Sequence, residues 1–194
     1  MKSALPPPRI WPELTQLEIY LFGTVTHRFH RQGSLAAFDF FCIVIWKANR
    51  AKSRIAERLL ERGHTSVETA VASLTREIFR ASSDEERLRV IIERWGFRLP
   101  MATAVLSVLY PDRFTIYDVR VCRELRGFGT LAQAKRFETI WSGYQDFHQA
   151  VVAATPLRLS LRDKDRYLWG KSFATQLAAD IARDFSAVSQ ENDG

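Results

Sequence analysis

Apolar residues recur at helical intervals along almost the whole chain, and no stretch of useful length alternates apolar with polar residues as a half-buried strand would. Pro12 suits a first helical position, and Leu14, Leu17, Leu21 and Val25 follow with helical spacing, which predicts a first helix over 12–26. His27 and His30 then read as surface or loop residues, with no Cys or acidic residue spaced to complete a metal site. Ser34 is the expected N-cap of a long helix through Phe38, Phe41, Ile45 and Trp46, continuing through Ile55 and Leu59 to a stop at Gly63. The first half of that helix is apolar on nearly every face, as in a helix buried at the centre of a protein. Its character changes abruptly at Trp46-Lys47-Ala48-Asn49-Arg50, where polar and basic residues emerge from the apolar run.

Val67, Ala70, Val71, Leu74 and Ile78 mark an amphipathic helix over 66–81. Ser83-Asp84-Glu85-Glu86 reads as a capping box opening the next helix, whose apolar side is Leu88, Ile91, Ile92 and Trp95. Gly96 stops it, and Leu99-Pro100 restarts a helix at once, so two helices joined by a very short turn form a hairpin over about 83–110. Tyr110-Pro111-Asp112-Arg113 makes a turn, and Phe114-Thr115-Ile116-Tyr117 is a short extended segment delivering Asp118 to the start of another helix. Thr130 is the expected cap of a helix through Phe137, Ile140, Trp141 and Phe147. Pro156 breaks it before a last helix carrying Leu168, Trp169, Phe173, Leu177 and Ile181. The fold expected is all-α and two-lobed, with one domain over 11–186 between flexible tails at 1–10 and 187–194.

Composition narrows the function less than the pattern narrows the fold. The formal charge of +6 favours a polyanionic partner without requiring one. Cys42 and Cys122 lie within apolar helical patterns, where free Cys behaves as a small hydrophobe, so a reduced, cytoplasmic protein is expected, nucleoid-associated if bacterial. The longest apolar run, around Phe38 to Trp46, is too short to span a bilayer. No membrane, metal or cofactor is expected, and a monomer is.

The hairpin Gly96-Phe97-Arg98-Leu99-Pro100-Met101-Ala102 and the segment Ile116-Tyr117-Asp118-Val119-Arg120 follow one another in an order that resembles the helix-hairpin-helix DNA glycosylase superfamily, which includes endonuclease-III-like and 8-oxoguanine glycosylases. The long helix ending in Trp46-Lys47 resembles that family's central helix, so the likeness covers roughly residues 35–150. Two positions depart from the family. Arg98 stands where the hairpin usually carries a second glycine, and no lysine lies between Lys52 and Lys135, where bifunctional members keep their amine. Arginine stays protonated and cannot form a Schiff base.

The resemblance implies a base-excision N-glycosylase acting on lesion-containing duplex DNA, with Asp118 as the catalytic carboxylate. Such a carboxylate stabilises the positive charge that builds on the sugar as the N-glycosidic bond breaks. It also implies a displaced amine, at Lys47 or Lys171, unless water is the nucleophile. Phosphate would meet the turn Gly96 to Leu99, with Arg98, Arg120, Asn49 and Arg50 as further DNA contacts, and Trp46, Trp169 and Lys171 would line the base pocket. The competing readings are a non-catalytic nucleic-acid-binding module on the same scaffold and a helical protein-interaction domain.

Overall fold

A computed structural model of the chain describes residues 8–185, so the expected tail at 187–194 and most of that at 1–10 lie outside the described residues. Among the described residues the architecture is all-α, with no strand. A short α1 (Leu17–Ile19) is followed by α2 (Thr26–Gln32), α3 (Ala37–Ala48), α4 (Lys52–Leu60), α5 (Val67–Arg80), α6 (Asp84–Arg89), α7 (Leu99–Leu109), α8 (Val119–Leu125), α9 (Phe137–Ala153) and α10 (Leu161–Ala182). None is long and apolar enough to cross a membrane.

The centre is the pair α3 and α7, which pack against each other. Every residue of α7 except Pro100 is buried, and small Ala102 and Ala104 leave room for a neighbouring backbone. Phe40, Ile43 and Val44 of α3 are fully enclosed. Burial of each such side chain stabilises the fold by about 1.5–3 kcal/mol. One continuous cluster of buried apolar side chains takes members from Tyr20 on through α10, and it includes Cys42 and Cys122, both unpaired and buried.

Four expected boundaries move, each for a local reason. The first helical stretch does not stop at 26 but changes type, from a 3₁₀ turn over Pro12–Gln16 to a π-helical stretch over Tyr20–Val25 and then α2. His27 and His30 are therefore surface residues of a helix rather than of a loop, and the His30 ring nitrogen meets the Leu109 carbonyl at 2.7 Å. Ser34 is not the cap of α3: the helix starts after Ala36, and the Glu68 carboxylate from α5 accepts the Ala37 N–H at 3.1 Å. The long helix is two helices, because Ala48 adopts an extended φ of −161° and a 3₁₀ turn follows at Asn49–Ala51. Thr130 leads only into a 3₁₀ turn, and α9 begins at Phe137.

The hairpin stands as read, with one shift. Ser83 caps α6 by accepting the Glu86 N–H at 3.1 Å, but the Glu86 carboxylate turns to the N–H and hydroxyl of Ser82 rather than closing the box on Ser83. A complete capping box sits instead at Ser66 and Thr69, opening α5. After α6 a π-helical stretch over Val90–Arg94 ends at Gly96, whose φ of +70° is the left-handed conformation glycine tolerates best.

Candidate functional site

Asp118 reaches its position by an unusual route. Residues 114–117 are buried without regular secondary structure, and no strand lies among the described residues to pair with them, so their backbone groups need side-chain partners. Tyr144 of α9 supplies two: its hydroxyl accepts the Thr115 N–H at 3.0 Å and donates to the Thr115 carbonyl at 2.8 Å. Thr103 of α7 accepts the Tyr117 N–H at 3.0 Å. The segment is thus clamped between two helices, and Asp118 follows it as the N-cap of α8.

The two carboxylate oxygens of Asp118 have separate tasks. Oδ1 accepts the Arg120 N–H at 2.9 Å, the ordinary N-cap bond, while Oδ2 accepts from the Lys47 ammonium in an ion pair. Lys47 comes from the last turn of α3, where the helix dipole favours a cation. Burial alone would push the Asp118 carboxyl up, but the Lys47 charge, its hydrogen bond and the Arg120 N–H together hold it below the usual carboxylate value.

A cavity of about 440 Å³ opens beside this pair, lined by Glu18, Trp46, Lys47, Ile116, Asp118, Arg162, Asp165, Arg166 and Trp169. Arg162 is its structural hub. It pairs with Asp165 one turn further on and with Glu18 at 2.8 Å, and its guanidinium lies 4.8 Å from the Phe22 ring centre and 5.1 Å from that of Trp46. Arg166 reaches Glu18 at 3.4 Å.

Asp165 is the group the sequence reading missed. It is 4% exposed, and Oδ1 has no hydrogen-bond partner although Oδ2 is held by Arg162. Burial pushes its carboxyl up to about 6, against the pull of Arg162 and Lys47. The Thr115 hydroxyl is near enough to lower it slightly, yet neither Thr115 Oγ1 nor Asp165 Oδ1 has a partner in bonding geometry. The available signal was Asp165 and Trp169, one turn apart on the first half of α10, within a segment of mixed charge around an aromatic.

No family model, curated protein or solved structure matches this chain.

Of the residues singled out from sequence, Lys47, Asp118, Trp46 and Trp169 meet at one cavity. Arg120 stands at its edge: its guanidinium lies 5.4 Å from Trp169 and 5.7 Å from Phe173, two rings stacked on each other, and it donates to Gln176 at 2.8 Å. Lys171 is not among the lining residues; it pairs with Glu124 at 2.9 Å, so its place in the base pocket is corrected. Asn49 and Arg50 are exposed in the turn after α3, where the Asn49 side chain accepts from Lys52 at 3.0 Å.

The hairpin turn differs from the expected phosphate cradle. The Gly96 and Phe97 N–H groups already donate to Ile92 and Ile91, both at 3.0 Å, and Arg58 donates to the Gly96 carbonyl. Leu99 is buried as the first residue of α7, while Arg98 is exposed ahead of it. A phosphate at this turn would meet the side chains of Arg98 and the nearby Arg62 rather than those two N–H groups. Among the described residues no group of three or more His, Cys, Asp or Glu side chains is placed to hold a metal ion.

Proposed function

We propose that the chain is a base-excision N-glycosylase that turns a damaged or modified base out of duplex DNA into the cavity between Trp46 and Trp169. The observation that carries this reading is the Lys47–Asp118 ion pair on the cavity wall: an amine and a carboxylate delivered by different helices to one ligand-sized space. Structural ion pairs are common; this one places the two groups that N-glycosidic cleavage uses beside two aromatic walls.

The division of labour follows from the chemistry. As the C1′–N bond breaks, the base leaves with the bonding electrons and positive charge builds on the sugar, where the Asp118 carboxylate stabilises it. Lys47, once its proton has passed to a base, attacks C1′ with its free pair and gives an imine after ring opening. The acceptor is the departing base, which leaves as an anion, while Asp118, held ionised, keeps the amine beside the sugar through its hydrogen bond; the second amine proton passes to the ring oxygen as the sugar opens.

The test is base release over a panel of duplexes bearing oxidised, deaminated, alkylated and mismatched bases, with borohydride trapping in parallel. Asp118→Asn should reduce release at least about 100-fold. Lys47→Gln should abolish the trapped adduct. Base release unaffected by either substitution would sink the assignment, and release without any adduct would leave Asp118 in place and replace Lys47 by water.

A further inference from the structure

The second half of α10 is uncovered: none of residues 173–182 is buried, and all but Asp180 are exposed. Helical segments of about three turns are marginal in water and are held by packing one face. Here the face exists without the packing. Trp169, Phe173, Leu177 and Ile181 recur every fourth residue, and each is between 39% and 56% exposed. Scattered exposed apolar side chains are ordinary, whereas a continuous ridge of four marks an interaction surface. The Trp169 and Phe173 rings are stacked along it with centres 5.7 Å apart, and only the Arg120 guanidinium lies over them.

Beside this ridge, one residue on, runs a row of small residues with the same repeat: Gly170, Ala174, Ala178 and Ala182. A Cβ added at Gly170 would meet nothing within 4 Å, so the row begins in open space. Helices pack by setting a ridge of residues four apart into the groove beside the matching ridge of a neighbour, with the axes crossing near about −50°. This face carries both halves of that fit, a tall ridge and a shallow row, so its complement is itself. Charge agrees with shape. Asp180 is the single charged residue from Ser172 to Ala182, and it pairs with Arg183 of its own chain at 2.9 Å, while Lys171 just before pairs with Glu124. The face therefore offers no cation to a nucleic acid or an anionic lipid surface, and little charge to repel a second copy.

We propose that two copies of this chain pair through α10 about a two-fold axis, the Phe173–Leu177–Ile181 ridge of each lying along the Ala174–Ala178 row of the other. The pair replaces the monomer expected from sequence. Ridge and row expose on the order of 300–400 Å² per copy, and two copies bury less than the ~1,600 Å² of a standard interface, so the association is reversible. Helices crossing at this angle part within about two turns of the contact, which leaves Trp169 to the cavity. The pairing does not depend on the chemistry assigned there.

Sedimentation equilibrium of the full chain, from low to high micromolar concentration and without any ligand, should show a monomer–dimer equilibrium. The two-fold axis sets the two Leu177 positions on either side of it. Leu177→Asp should therefore weaken association at least about 30-fold. Leu177→Lys should do the same, and an equimolar mixture of the two variants should recover pairing to within about tenfold of the unaltered chain. Ala178→Leu separates ridge-into-row packing from mere stickiness: it enlarges the apolar surface but fills the row, and should weaken pairing at least about tenfold. A chain that stays monomeric throughout overturns the proposal and leaves the face to a different protein or to another segment of its own chain. So does a dimer indifferent to Leu177→Asp, one tightened by Ala178→Leu, or a mixture that recovers nothing. If Leu177→Asp fails to fold, Ile181→Asp, one turn further along, decides in its place by the same measurement.

Discussion

Asp118 and Asp165 lie on one cavity and are driven in opposite directions, which makes them separable by pH. Asp165, raised from 3.8 to about 6, holds in the folded state a proton that the unfolded chain releases between those values. The folded state then binds more protons, so its stability rises as pH falls through that window and is lost as pH climbs above 6. Asp118 is depressed, so its contribution is present above the ordinary value of 3.8 and is lost only as pH falls below it. Urea midpoints measured from pH 7 to pH 4.5 should therefore show a stabilising component on acidification that Asp165→Asn removes and Asp118→Asn leaves in place. The same two residues show what sequence reveals at this scale. Asp118 was legible because an N-cap leaves a local signature, whereas the mixed-charge segment around Trp169 hints at a site wall without singling out Asp165, whose enclosure depends on where α10 docks.

At the scale of elements, periodicity located nearly every helix because each must bury one face, and that need is written in its own residues. What it missed are features decided across space. The cap of α3 comes from Glu68, thirty-one positions away, and the break after Lys47 follows no proline or glycine. Another such tie joins Asp39 of α3 to both the Tyr20 hydroxyl, at 2.7 Å, and Arg28 of α2. Asp39 is 1% exposed, so Asp39→Ala strands two polar groups around an enclosed site. It should cost about 3 kcal/mol in urea unfolding. A change near zero would show that solvent reaches Arg28 and Tyr20 freely. Thr103→Val tests the clamp on the Asp118 segment: it keeps the side-chain shape and removes the acceptor for the Tyr117 N–H. A loss of about 1–2 kcal/mol is expected, and under the proposed glycosylase function base release should fall by more than the stability change explains.

For the molecule as a whole, the duplex binding proposed above would draw on the +6 charge and the exposed Arg98 ahead of α7 rather than on the cavity, whose own charges balance. Arg98→Ala should weaken binding by a similar factor for every duplex sequence and flatten the dependence on salt. Unchanged binding would remove the hairpin from the interface. The clamp on residues 114–117 also has a consequence for the order in which the molecule folds. Its partners lie 14 and 29 positions away on α7 and α9, so the segment gains nothing from becoming ordered until both helices have docked. The cavity is then among the last parts to assemble. The Thr115 and Tyr117 amides should gain protection from hydrogen exchange late in refolding, after those at the centre of α7, and a chain stalled with its core already formed would be compact and helical but without its cavity.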